Sequence, residues 1–172
     1  MKPAIAVDID NTISNTNESL AGLLPGLDFT KYPTPGVTGE IFERQPEIFT
    51  DARPFKGAVK GVSYLSRFYR IIYLTARPRW TENLTQRWLK THGFPVGEVV
   101  CSEDKPGYVK NHGIAFAIDD APGEIEGLSR LVPVFIHRQP YNKSLAHMGT
   151  IFSWQQYKDI HTLYYKEFKE VV

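Results

Sequence analysis

The chain has 172 residues, 42% of them hydrophobic, and a formal net charge of +1, which is typical of one globular domain. A charge so near zero excludes a broad basic surface for bulk nucleic acid or an anionic membrane, and no apolar run approaches the roughly 20 residues of a membrane-spanning helix. The one cysteine, Cys101, excludes an intrachain disulfide and a cysteine-rich metal site. Because Met1-Lys2-Pro3 leads directly into a strand, we expect no signal peptide and a cytoplasmic protein.

Predicted strands and helices alternate along most of the chain. Five apolar stretches are predicted as strands, at 4–9, 70–75, 98–101, 115–118 and 132–136. Helices are predicted at 57–69, 80–92, 106–111 and 154–170, the last of them opened by a capping box of Ser153 and Gln156. This alternation predicts the α/β class, with a three-layer Rossmann-like parallel sheet of about five strands and helices on both faces.

Residues 13–56 interrupt the alternation, because they are rich in Pro, Gly, Thr and Asn and carry one short predicted helix, around 18–24. The segment is too long for a simple connection, so we interpret it as a small cap over the strand ends, inside a single domain of residues 1–172. Its aromatic side chains could stack on a nucleobase, with Arg44 and Arg53 meeting extra phosphate, or could form the insert's own small core. These aromatic residues are Phe29, Tyr32, Phe42 and Phe49.

Polar side chains follow the first four predicted strands in turn, at the edge where ligands bind in open parallel sheets. Several carboxylates gathered there would repel one another unless cations neutralised them. A hard divalent ion with oxygen ligands is the natural partner, and magnesium usually takes a phosphate oxygen as well. The sequence therefore predicts a magnesium site that carries out phosphoryl transfer. The residues concerned are Asp8, Asp10, Asn11 and Thr12, then Thr75, Ala76 and Arg77, then Lys105, and finally Asp119 and Asp120.

The order of these residues resembles that of the haloacid dehalogenase-like (HAD) hydrolases. Asp8-Ile9-Asp10-Asn11-Thr12 matches their first motif, Asp-x-Asp-x-Thr, and Thr75 matches the threonine or serine of the second. A lysine upstream of the fourth strand and the pair Asp119-Asp120 match the third and fourth motifs. The segment 73–78, followed by 85–89, is similar to small phosphatases of this superfamily that include deoxyribonucleotidase-like and polynucleotide-phosphatase-like proteins. The modest insert after the first motif is similar to the short caps of 5′-nucleotidases.

The resemblance implies a role for each residue of the first motif. Asp8 would be the nucleophile that forms an aspartyl-phosphate, and it would also bind magnesium. Asp10 would be the general acid and then the general base, with its backbone carbonyl on the metal. Thr12 would hold Asp10 and the turn in place, close to the substrate.

The remaining motifs would bind phosphate and complete the metal site. Thr75 would hydrogen-bond the phosphoryl oxygens, helped by the backbone at Ala76, while Arg77 would either clamp phosphate or lie on the surface. We favour Lys105 over Lys110 as the lysine that balances the charge of Asp8 and phosphate. Asp119 and Asp120 would complete the Mg²⁺ site, with Asp120 favoured as the direct ligand.

These roles imply a magnesium-dependent phosphomonoesterase acting on a small phosphorylated substrate, with a nucleotide as the leading candidate. Two alternatives belong to other classes. A phosphoacceptor signalling domain is disfavoured because its paired acids would follow the first strand, and a catalytically silent binding module is disfavoured because every motif residue is present. Transfer of the phosphate to an acceptor other than water is the third alternative.

Overall fold

The computed structural model describes residues 2–169, which form a six-stranded sheet with helices around it. The strand order is β3-β2-β1-β4-β5-β6, and all five neighbouring pairs are parallel. The predicted α/β fold is confirmed, with six strands rather than about five. The strands are β1 (Ala4–Val7), β2 (Arg70–Thr75), β3 (Glu98–Cys101), β4 (Ile114–Asp119), β5 (Val134–His137) and β6 (Thr150–Phe152). The sixth is only three residues long, too short to show a periodic pattern.

Eight α-helices connect or flank the strands within residues 2–169. They are α1 (Thr16–Leu23), α2 (Gly39–Arg44), α3 (Glu47–Asp51), α4 (Ala58–Leu65), α5 (Glu82–Thr91), α6 (Lys105–Asn111), α7 (Pro122–Leu128) and α8 (Tyr157–Tyr164). The sequence did not predict α7, because two of its seven residues are glycines of low helix propensity. The helix nevertheless forms with its proline in the first turn, where proline is favourable.

The last helix begins at the predicted capping box, in which the Ser153 backbone N–H donates to Gln156 Oε1 at 3.2 Å. A 3₁₀ turn, Trp154–Gln156, leads into α8, and a π-helical turn, Tyr165–Lys169, follows it. The predicted end of this helix at residue 170 lies outside the described residues. The structure describes no helix between residues 2 and 169 that is long and apolar enough to cross a bilayer.

The central strand β1 is buried on both faces, as its continuous apolar sequence predicts. Ile5 and Val7 pack on one side against residues of α4, α5 and α8, whereas Ala4 and Ala6 pack on the other against residues of α6 and α7. Successive side chains of a strand point to opposite faces, so this one short segment contacts both helical layers. The core thus fixes β1 at the centre of the sheet.

Parallel pairing brings the carboxyl ends of the strands to one edge. Val7 is in register with Tyr73 of β2 and with Ile118 of β4, and the Asp8 N–H donates to the Ile118 carbonyl oxygen at 2.9 Å. The residues directly after β1, β2 and β4 are therefore neighbours in space. The insert, residues 13–56, contains α1, α2 and α3, and its side chains line a cavity at this edge.

Candidate active site

A buried lysine joins two of the predicted acids at the sheet edge. Lys105 Nζ donates to Asp8 Oδ1 at 2.6 Å and to Asp119 Oδ2 at 2.8 Å, and all three side chains are buried. Lys105 is the first residue of α6, whose amino end is capped by the Asp104 carboxylate on the Gly107 N–H. Lys110 is exposed near the other end of that helix, so Lys105 is the lysine that joins the cluster.

The adjacent acids of the fourth motif have different surroundings. Asp119 Oδ1 accepts the backbone N–H groups of Asp120 and Ala121 at 2.8 and 3.0 Å, and Lys105 occupies its other oxygen. Asp120 instead lines the cavity and receives hydroxyl donors, Thr12 Oγ1 on Oδ1 at 2.7 Å and Tyr141 on Oδ2. Asp119 therefore anchors the lysine, and Asp120 faces the site.

The expected role of Thr12 as the partner of Asp10 is wrong. The Thr12 side chain is fully buried and donates to Asp120, because the chain turns sharply after β1 and carries this hydroxyl toward β4. The hydroxyl that contacts Asp10 belongs to Thr16, four residues after Thr12, and lies 2.6 Å from Asp10 Oδ1. That Thr12 contacts substrate stays a prediction.

Arg77 clamps Asp10. Arg77 Nε donates to Asp10 Oδ2 and Nη2 donates to Asp10 Oδ1, both at 2.8 Å, while Nη1 donates to Thr85 Oγ1 at 3.0 Å. The guanidinium also lies over the Phe49 ring, 4.3 Å from its centroid. Only 4% of Arg77 is exposed, so the surface alternative is wrong, and its bidentate face is turned to Asp10 rather than held free for phosphate.

The site carries more buried negative charge than Lys105 and Arg77 balance. Burial, with help from Asp119 and Asp10, raises the pKa of Asp8 to about 7 despite the opposing charge of Lys105. Burial and the carboxylates of Asp8 and Asp119 raise the pKa of Asp120 well above its usual range. Burial would also raise the pKa of Asp10, but the Arg77 guanidinium, together with the Thr16 hydroxyl and Lys105, holds that pKa below the ordinary value.

These acids fit a divalent cation. Asp8, Asp119 and Asp120 each place one carboxylate oxygen within 4.8 Å of the others. Three carboxylates and one lysine leave two negative charges uncompensated in a buried place, which a divalent ion with oxygen ligands would neutralise. The donor set therefore suits Mg²⁺, with Asp8 and Asp120 as the better-placed ligands because both line the cavity, whereas Asp119 lies behind its lining.

Thr75 and Ala76 end β2 beside these acids. Thr75 is fully buried and accepts the Arg77 backbone N–H at 3.2 Å, whereas Ala76 is exposed. Both line the cavity together with Asp8 and Lys105. The sequence-predicted residues thus meet at one place, with Thr12 and Asp119 just behind the lining.

The cavity above the acids measures about 380 Å³, and the insert supplies its outer wall. The insert also has a small core of its own around Leu20, Ile48 and Phe49, with Phe29 and Phe42 packed against it. Phe42 and Phe49 stack at 5.1 Å and line the cavity as well. The interpretation of these aromatics as the insert's own core is thus supported for Phe29, Phe42 and Phe49, whereas stacking on a nucleobase stays a prediction. Arg44 and Arg53 are exposed and are not among the lining residues.

The sequence predicted no site residue in the segment that follows β5. His137 Nδ1 and Gln139 Nε2 both donate to the Asn11 carbonyl oxygen, at 2.8 and 2.6 Å. Asn11 has a φ of 58°, an uncommon left-handed conformation for a residue other than glycine. The two donors thus hold the first-motif turn in this conformation. The available signal was position, because His137 ends a strand at the same sheet edge.

Comparisons with known proteins find one family model and several relatives that are described as nucleotidases. The family model described as "PITM 1-3, LNS2 domain" matches residues 39–115, less than half of the chain. "Putative nucleotidase" of Bacillus cereus is 30% identical over 119 residues, which cover 65% of this chain and 62% of that relative, so the match spans less than two thirds of its length. "Putative nucleotidase BH1399" of Halalkalibacterium halodurans is 24% identical over 173 residues, covering 88% of this chain and 89% of that relative.

Solved structures share the fold at low sequence identity. A haloacid dehalogenase-like hydrolase, SP0104 of Streptococcus pneumoniae, gives a TM-score of 0.63 at 14% identity, covering 95% of this chain and 98% of that one. A HAD family hydrolase of Deinococcus radiodurans, solved with bound phosphate and sodium, gives 0.61 at 12% identity and covers 96% of both chains. The chain has the fold of these HAD hydrolases, so the fold that the resemblance implies is confirmed.

Proposed function

We propose that this chain is a magnesium-dependent phosphomonoesterase that hydrolyses its substrate through a phosphorylated Asp8. The observation that carries the proposal is the Asp8–Lys105–Asp119 cluster, in which a buried carboxylate and ammonium lie 2.6 Å apart at the floor of a cavity. Relatives described as nucleotidases and neighbours described as HAD hydrolases support the same chemistry.

Asp8 and Asp120 would hold Mg²⁺, with the Asp10 backbone carbonyl as a further ligand. When bound, the ion would neutralise the buried carboxylates and the phosphoryl oxygens. Asp8 Oδ would attack phosphorus, forming an Oδ–P bond while the ester P–O bond breaks. Lys105 would compensate the charge of the carboxylate and the phosphoryl group, and Thr75 would donate to a phosphoryl oxygen.

Asp10 would move the protons. Its side chain is 27% exposed and lines the cavity, and its carboxylate is paired with Arg77. The negative phosphate of a bound substrate would favour its protonated form, which then gives that proton to the leaving oxygen. Asp10 would next take a proton from water as the water oxygen attacks phosphorus, which releases inorganic phosphate and restores Asp8.

A nucleotide fits the cavity better than a small polar phosphate ester would. The cavity volume of about 380 Å³ lies in the range of small-ligand sites, and the outer wall of the cavity carries the apolar rings of Phe42 and Phe49. A nucleobase could stack on these rings. Residues 13–56 would then act as the cap that sets specificity, as the sequence predicts.

The test is a panel of phosphate esters that includes 5′- and 3′-nucleotides, assayed with Mg²⁺ and after chelation. Asp8→Asn removes the nucleophile with little change of shape, and Asp51→Asn, an exposed acid of α3, is the matched control. We expect activity on nucleotides to need Mg²⁺, to be lost in Asp8→Asn and to persist in Asp51→Asn. Full activity of Asp8→Asn would overturn the covalent mechanism, and activity unchanged by chelation would overturn the metal assignment.

A further inference from the structure

Tyr141 makes a contact that none of the proposed catalytic steps requires. Its hydroxyl donates to Asp120 Oδ2, while Thr12 donates to Oδ1 of the same carboxylate. The two donors come from opposite sides in sequence, one after β1 and one after β5. Each carboxylate oxygen has two lone pairs, so each can accept a hydroxyl and still offer a lone pair to a metal.

The backbone that carries Tyr141 is fixed relative to Asp120. Asn142 is fully buried, and its Nδ2 donates to the carbonyl oxygens of Asp120 and His137, both at 2.9 Å. Its Oδ1 accepts the Gln139 N–H, also at 2.9 Å. Asn142, the neighbour of Tyr141, is thus hydrogen-bonded to the backbone of Asp120 itself. These bonds hold the Tyr141 hydroxyl in position relative to the Asp120 carboxylate.

The ring of Tyr141 has a second contact that keeps it in place. It packs against the Tyr32 ring of the insert, with centroids 5.3 Å apart and the planes tilted by 42°. Tyr32 lines the cavity. A phenylalanine at position 141 would retain this ring contact and lose only the hydroxyl, which isolates the bond to Asp120.

We propose that Tyr141 is a positioning residue for the metal, which orients the Asp120 carboxylate so that its free lone pairs converge with those of Asp8. This inference rests on the proposed function, because it assumes that the acids bind Mg²⁺. Outer partners of metal ligands fix the ligand's orientation, and their loss typically weakens metal binding by about 10- to 100-fold. Without the Tyr141 hydroxyl, the Asp120 side chain would keep only the hydrogen bond from Thr12. One hydrogen bond would leave the carboxylate free to rotate.

The orientation of the Asp120 carboxylate matters more for Mg²⁺ than for Ca²⁺. Mg²⁺ demands near-ideal octahedral geometry, whereas Ca²⁺ accepts more ligands in flexible arrangements. A loosened Asp120 should therefore weaken binding of Mg²⁺ more than of Ca²⁺. General damage to the fold would weaken both ions alike, so the ratio of the two dissociation constants separates positioning from stability.

The experiment is titration calorimetry of Mg²⁺ and of Ca²⁺, without substrate, on the wild type and Tyr141→Phe. Tyr157→Phe, on the remote helix α8, is the matched control. We expect Tyr141→Phe to bind Mg²⁺ about tenfold more weakly, with the ratio of the Mg²⁺ to the Ca²⁺ dissociation constant raised. The control should match the wild type.

Three outcomes would overturn the proposal: Mg²⁺ affinity in Tyr141→Phe equal to or tighter than in the wild type, equal weakening of both ions, or no Mg²⁺ binding by the wild type. Failure of the proposed function looks different. A wild type that binds Mg²⁺ with the expected Tyr141 dependence but hydrolyses no phosphate ester would leave this inference intact and refute the phosphatase.

Discussion

The replacement His137→Gln tests how the end of β5 supports the first-motif turn. The His137 ring lies among the aromatic rings of Phe55, Phe152 and Trp154, and its Nδ1 donates to the Asn11 carbonyl oxygen. Burial lowers the pKa of His137 from 6.5 to about 4, although the bond to Asn11 opposes this. The folded protein therefore keeps this ring neutral where the unfolded chain already binds a proton.

The difference between the pKa of His137 in the native state and in the unfolded state sets the sign and the size of its effect on stability. Below the ordinary pKa the unfolded state gains a proton that the native ring does not take, so stability is fully present above about pH 6.5 and falls as the pH drops toward about 4. The loss is about 1.4 kcal/mol for each unit of pH, or about 2 kcal/mol between about pH 6.5 and about pH 5. Other titrating groups are common to both proteins and cancel when the wild type is compared with His137→Gln.

The assay is urea unfolding of the wild type and His137→Gln at pH values across this window. We expect the free energy of unfolding of the variant to fall by about 2 kcal/mol less than that of the wild type. His147→Gln, at an exposed histidine, should retain the wild-type pH dependence. Parallel curves for the wild type and His137→Gln, or a His137 ring resonance that titrates near the ordinary value in the native protein, would refute the reasoning.

Two further substitutions test the clamp on Asp10 and the packing behind the site. Arg77→Lys keeps the charge but loses the bidentate contact with Asp10, so we expect kcat to fall about tenfold with KM unchanged. Steady-state kinetics on a nucleotide would check this expectation. A raised KM at constant kcat would instead mean that Arg77 binds phosphate. In Gly61→Ala the new Cβ would clash with the Trp154 ring, so we expect a loss of about 1–3 kcal/mol in unfolding stability. A wild-type unfolding midpoint would contradict this expectation.

The strands and most of the site acids could be predicted from the sequence because both signals are local. Buried parallel strands appear as short apolar runs, and the reactive residues follow them directly along the chain. Asp8 and Asp120 needed no knowledge of distant contacts, only the rule that carboxyl ends of parallel strands share an edge. The same rule places Thr75 there.

The partners of those acids could not be predicted, because they depend on side-chain direction and on loops without a motif. Arg77 follows a strand as expected, but nothing in its neighbours along the chain reveals that its guanidinium turns to Asp10. Thr12 likewise points to Asp120 because of a turn whose geometry is held by His137, far along the chain. Tyr141 lies in a loop that carries no recognised pattern, so only the three-dimensional structure reveals its contact with Asp120.

Chemical trapping of the phosphorylated enzyme tests the central claim, that Asp8 is the nucleophile, most directly. An acyl phosphate reacts with hydroxylamine to give a hydroxamate, which peptide mass spectrometry can locate. During turnover of a nucleotide with Mg²⁺, we expect the hydroxamate at Asp8 alone, and none without substrate or in Asp8→Asn. Turnover with no modified Asp8, or with the modification at another carboxylate, would contradict the account.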